Sequence, residues 1–98
     1  MSYKVEFLEP AADDLLTLHA WIEGEAGPHV ADVYLARLKE HCFKLAEFPR
    51  RGTPRDDLMS GARSLSFERR ILIFYRVEDR TVQIMHVVST FRETPILN

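Results

Sequence analysis

Tyr3, Val5 and Phe7 alternate with Ser2, Lys4 and Glu6, the two-residue period of a strand with one buried face. Pro10 suits the first turn of a helix, where a missing N–H costs little. Ala11, Leu15, Leu18 and Ile22 follow at helical spacing, with Asp13 and Asp14 near the positive end of the helix dipole. Gly24 and Gly27 are expected to end that helix. Pro28 opens a longer one, in which Val30, Tyr34, Leu38, Cys42 and Leu45 fall at steps of four, four, four and three. That spacing predicts one continuous buried stripe. Phe48-Pro49 stops it. The short Glu25–Pro28 connection predicts an antiparallel helical hairpin, each helix laying its stripe on a sheet.

Residues 49–62 are rich in Pro, Gly and Asp and read as a loop. From Arg63 the period returns to two. Leu65 and Phe67 alternate with serines, and Ile71, Ile73, Tyr75 and Val77 alternate with Leu72, Phe74 and Arg76. Glu78-Asp79-Arg80 forms a tight turn into Val82, Ile84, His86 and Val88. Three short strands with tight connections predict an antiparallel meander. The expected order is β-α-α-β-β-β, a single α+β domain over residues 1–98. It has an antiparallel sheet of about four strands and an N-terminal helical hairpin on one face. Ile71–Tyr75 is apolar on both faces, which predicts a central strand whose outward side needs a cover.

Composition narrows the class. The 98 residues are 46% hydrophobic and 29% charged, ordinary for a globular domain and unlike disordered or collagenous chains. Cys42 is the only cysteine, so no internal disulfide forms, in keeping with a reducing compartment. No apolar run approaches the ~18 residues of a membrane span, and the opening MSYKVEFLEP alternates and carries acids, unlike a signal peptide. These features predict a cytoplasmic protein.

The net charge of −2 is unevenly placed. Residues 1–49 hold four Lys/Arg against nine acids, and residues 50–98 hold nine arginines against six acids. A pI near 6.1 argues against direct nucleic-acid binding, which usually needs a strongly basic domain. The arginine-rich half suits an acidic partner instead, because the guanidinium fork matches carboxylates and phosphates.

Motifs for chemistry are sparse. His19, His29, His41 and His86 show no metal-ligand spacing, and no phosphate loop or nucleophile elbow is present. Neither a metal nor a cofactor is expected. Cys42 falls in the buried stripe, where a thiol is inert. Cleaving RNA through its 2′-hydroxyl takes a general base and acid besides positive charge. His86, Glu68 and Tyr75 are the candidates near the arginines, His86 being the histidine set mid-strand among apolar neighbours.

Several segments together resemble toxins of the ParE/RelE superfamily, the stable partners of bacterial toxin–antitoxin pairs, over nearly the whole length. They are Ala12-x-Asp14-Leu15 after the opening strand, and Ala31-x-x-Tyr34 with Leu38 and Leu45. Phe48-Pro49-Arg50-Arg51-Gly52, Leu58-x-x-Gly61-x-Arg63, Ile71–Val77 and Val82-x-Ile84-x-x-Val87 follow in order.

Within that superfamily, RelE-like members are ribosome-dependent mRNA endonucleases with a catalytic arginine in the strand matching Ile71–Val77 and often a tyrosine near the C-terminus. Here the matching position holds Leu72, and the segment after Arg92 (ETPILN) has no tyrosine. The ParE-like branch is closer, and its likeness implies inhibition of DNA gyrase by protein–protein contact, with no catalytic residues. It also implies a hetero-oligomer with a ParD-like antitoxin whose C-terminal segment folds on the toxin. Leu16, Trp21, Leu35, Phe74 and Phe91 are the expected antitoxin contacts, being apolar positions beside the helical stripes or near the second sheet face. Arg63, Arg69, Arg70 and Arg92 form the expected target-facing patch. A ribonuclease, or a toxin-fold protein without activity, are the alternatives.

Overall fold

Prolines open both helices and one glycine joins them. In the computed structural model, which describes residues 2–89, strand β1 (Lys4–Phe7) leads into α1 (Glu9–Ala26), and α2 (Pro28–Phe43) returns antiparallel to it. α1 runs through Gly24 and ends at Gly27, whose φ of 97° no side chain favours. Gly27 N donates to Glu23 O (2.9 Å), and Gly27 O accepts from Ala31 N (3.2 Å). A single left-handed residue thus closes one helix and starts the next.

The buried stripe of α1 is Ala11, Leu15, Leu18 and Ile22, as the spacing predicts. That of α2 is Ala31, Leu35, Leu38 and Cys42, continued by Leu45 in a 3-10 turn (Lys44–Ala46). Here the expected stripe is corrected at its N-terminal end: Val30 is 46% exposed and Tyr34 only half-buried. Ala31 takes Val30's place because a methyl side chain lets the two helices approach closely, a property that hydrophobic ranking does not register.

After the 3-10 turn come β2 (Thr53–Pro54), β3 (Ala62–Phe67), β4 (Ile71–Glu78) and β5 (Thr81–Ser89). They form one five-stranded sheet in the order β1-β5-β4-β3-β2. The expectation of an antiparallel sheet of about four strands is corrected on two counts. β1 pairs parallel with β5, from Lys4↔Thr81 to Phe7↔Ile84, making the sheet mixed. β2 adds a fifth strand too short to show a period, its proline tolerated at the edge. β4 is central, as its two apolar faces predict.

Ile71, Ile73, Tyr75, Val82, Ile84 and Val87 meet the helical stripes in one core. The alternation expected for β5 breaks midway. Phe74 pairs with His86 but Tyr75 pairs with Ile84, so Met85 is an extra residue in a bulge. Beyond it the phase inverts. Val87 joins the core, while His86 and Val88 pair with Phe74 and Leu72 on the other face.

Candidate functional surfaces

Among the described residues, Arg63 lies at the opposite end of β3 from Arg69 and Arg70. Arg63 sits early in β3, opposite Tyr75, and its Nη1 donates to Gly52 O (2.8 Å) and Arg50 O (3.1 Å). Tyr75, fully buried, accepts a hydrogen bond from Gly52 N at 2.9 Å. Arg63 and Tyr75 therefore hold the 50–52 segment against the sheet. Gly52 has no room for anything larger: a Cβ there would lie 2.6 Å from Tyr75 Oη and 2.8 Å from Ser64 O. Arg69 and Arg70 lie at the far end of β3, in or beside the β3–β4 turn. Arg92 and Phe91 lie outside the described residues.

Around that turn the polar groups of α2 converge. Arg37 Nη2 bonds Glu68 Oε2 at 2.5 Å, and its guanidinium lies 5.2 Å over the Tyr34 ring. Tyr34 and His41 both meet Phe67, at 5.6 and 5.2 Å between ring centroids. Burial holds the Tyr34 hydroxyl above its usual pKa, helped by the Glu68 carboxylate. The His41 pKa is depressed, chiefly by burial and further by Arg51 and Lys44, against the opposing pull of the Ser66 backbone and Glu68. A histidine kept neutral beside cations is a poor proton donor.

The sheet face away from the helices carries Leu72, 37% exposed, and Phe74. Residues 55–61 fold over one end of it. Arg55 N donates to Ala62 O (2.7 Å), the Arg55 guanidinium lies 5.7 Å over Phe74, and Leu58 and Met59 come down beside Met85 and Val88. The result is an apolar groove of about 410 Å³. Sequence reading missed Leu58, Met59 and Met85; an adjacent apolar pair within an otherwise polar loop was the available signal. The ionisable side chains near this face are paired. Arg55 binds Asp57, Arg76 binds Gln83 and Glu78, and His86 Nδ1 lies 3.1 Å from Asp14 Oδ2.

A second apolar surface lies on the helical hairpin. Leu16, 70% exposed, and buried Leu35 line a cleft of about 590 Å³ with Phe7, Leu15 and Ala36. His19 Nε2 bridges it to Asp32 Oδ1 at 2.8 Å. Trp21 is packed against the core, outside the lining of this cleft. The expected antitoxin contacts are thus divided: Leu16 and Leu35 on the hairpin, Phe74 on the opposite sheet face. Cys42 is fully buried and its pKa is pushed up to about 12 by burial, so the thiol stays protonated. Among the described residues no cluster of His, Cys, Asp or Glu is placed to hold a metal ion, and no helix is long and apolar enough to cross a membrane.

Residues 5–93 match the ParE toxin of type II toxin–antitoxin systems, parDE. The chain belongs to the ParE toxin family. No curated protein matches it in sequence. Its fold is similar to a chain of the chromosomal ParDE toxin–antitoxin system from P. aeruginosa, with a TM-score of 0.79 and 22% identity over 90% of this chain and 96% of that one. It is also similar to a chain of the RelBE2 toxin–antitoxin complex from Mycobacterium tuberculosis, with a TM-score of 0.69 and 28% identity over 91% and 99% of the two chains. In this ParE-family chain the Gly52 of the Phe48–Gly52 motif is explained by Tyr75 and Ser64, and Asp14 by its bonds to β5.

Proposed function

We propose that this ParE-family toxin inhibits DNA gyrase by protein–protein contact, without chemistry of its own, and is neutralised in a hetero-oligomer by a ParD-like antitoxin. The observation that carries this reading is Leu72. It stands half-open on the central strand, opposite Ser66 and Val88, at the position that by resemblance matches the catalytic arginine of the superfamily's nucleases. An aliphatic side chain stabilises no developing phosphorane charge. Support also comes from the pairing of Arg55, Arg76 and His86 with neighbours, and from a pI near 6.1, since a ribosome binder gains affinity from each phosphate it neutralises. Arg69 and Arg70, with Arg92, remain the target-facing residues of this proposal; Arg63 holds the 50–52 segment instead. The test is purified gyrase. Inhibited supercoiling or accumulated cleaved DNA is expected, and no effect at toxin excess overturns the reading.

The likeness to a RelBE2 chain favours a second reading, a ribosome-dependent mRNA endonuclease. Toxin-dependent cuts in messenger RNA on translating ribosomes would establish it in place of the first. A chain that produces no growth arrest when expressed without antitoxin would instead be a partner protein on a toxin fold.

A further inference from the structure

The β3–β4 turn is built from the wrong residues for its backbone. Arg70 N donates to Phe67 O at 3.1 Å, and the two residues between, Glu68 and Arg69, have φ of 51° and 60°. Two consecutive residues at positive φ make a turn of the kind that Asn-Gly fills without strain, followed here by one further loop residue, Arg70, because Phe67 pairs with Ile71. In Glu and Arg the Cβ crowds the following carbonyl, and the long side chains lack the local hydrogen bonds that let Asn and Asp tolerate this region. The β4–β5 turn shows the contrast: its left-handed residue is Asp79, at φ 57°.

What holds the turn down is visible. Glu68 is bonded to Arg37 of α2, and Arg37 stacks on Tyr34, which meets Phe67 at the end of β3. The strained tip is clamped to a helix. Arg69 is exposed and makes no hydrogen bond or ion pair among the described residues. Strain that persists where a commoner sequence would relieve it points to a use for the side chains it carries.

We propose that Glu68-Arg69 is a strained prong that presents the Arg69 guanidinium to a carboxylate-bearing protein surface on the toxin's target, with Glu68 as its positioning residue. This rests on the reading of the chain as a toxin that acts by protein contact. Binding to a nucleic-acid backbone draws on many neutralised phosphates and goes with a strongly basic domain, unlike this chain with its pI near 6.1, whereas a single guanidinium fork pairs locally with a carboxylate in two parallel hydrogen bonds.

Two variants separate strain from charge. Glu68→Asn with Arg69→Gly gives the turn its preferred residues, and it should raise Tm by about 5 °C or more while reducing growth-arrest potency at least tenfold. Arg69→Gln keeps the strain and removes the charge; it should leave Tm within about 2 °C of the parent and lose potency to a similar degree. A double variant no more stable than the parent overturns the strain, and full potency in either variant overturns the contact. A DNA mobility shift with the parent toxin that both variants lose would assign the prong to nucleic acid and also overturn it. Growth arrest assumes no particular target. If the parent arrests growth without affecting purified gyrase, the gyrase reading falls and the prong is still tested by the same variants.

Discussion

Gly52 shows how one backbone position governs a motif. Its N–H ends on Tyr75 Oη and its α-carbon faces Ser64 O, so Gly52→Ala forces a Cβ to within 2.6 Å of the tyrosine oxygen. Both neighbours are fixed, one in the core and one in the β-ladder. The substitution should cost about 2–3 kcal/mol, read as a lower urea midpoint with an unchanged slope. His41 sets a different kind of limit. Burial lowers its pKa in the folded state below the 6.5 of the free side chain. The unfolded chain therefore takes up the proton first as pH falls, and stability is present above pH 6.5 and lost on descending through the lower folded value. Tm should drop between pH 7 and pH 5, and His41→Gln should flatten that drop.

Between α1 and β5, one carboxylate does the work of a missing strand. β1 stops at Phe7, which pairs with Ile84, and past that point the edge of β5 has no strand neighbour among the described residues. Asp14 Oδ2 accepts from Val87 N (2.9 Å) and faces His86 Nδ1 (3.1 Å). Asp14→Ala leaves a part-buried N–H unmatched and should destabilise the fold by about 1–2 kcal/mol. Amide exchange at Val87 should accelerate, and Asp14→Asn, which keeps an acceptor, should recover most of the loss. From sequence alone Asp14 reads as a charge near a helix start, because a residue pairing across seventy positions leaves no local pattern. The same holds for the bulge at Met85, which inverts a period that Val82 and Ile84 announce correctly. Both helices, every strand but the two-residue β2, the central place of β4 and most core residues were legible, since each rests on local periodicity. The parallel partner of β1 was not, because alternation records which face is buried and says nothing of the neighbour. A count of charges per half-chain likewise could not show that Arg63 turns back onto Gly52 and Arg50.

At the scale of the molecule, the expected antitoxin contacts within the described residues fall on two faces separated by the sheet and the helical layer. A segment that reaches both Leu16 and Phe74 has to travel around the domain, so the two ends of its grip are separable. Leu16, 70% exposed, can be changed with little effect on the core. Leu16→Glu should leave Tm within about 1–2 °C of the parent and weaken antitoxin binding at least tenfold by titration calorimetry. Unchanged affinity would remove the hairpin cleft from the antitoxin interface.

The parallel pairing of β1 with β5 also orders events in time. The first strand made must wait for β5, the last of the described strands, before it has its neighbour, and at ordinary rates of synthesis that interval is roughly 5–15 s. During it the helical hairpin has its apolar stripe but no floor to rest on, and the nascent chain is an incomplete weapon. A cell that makes this protein therefore has a grace period in every round of translation, in which the antidote can be waiting before the poison has taken shape.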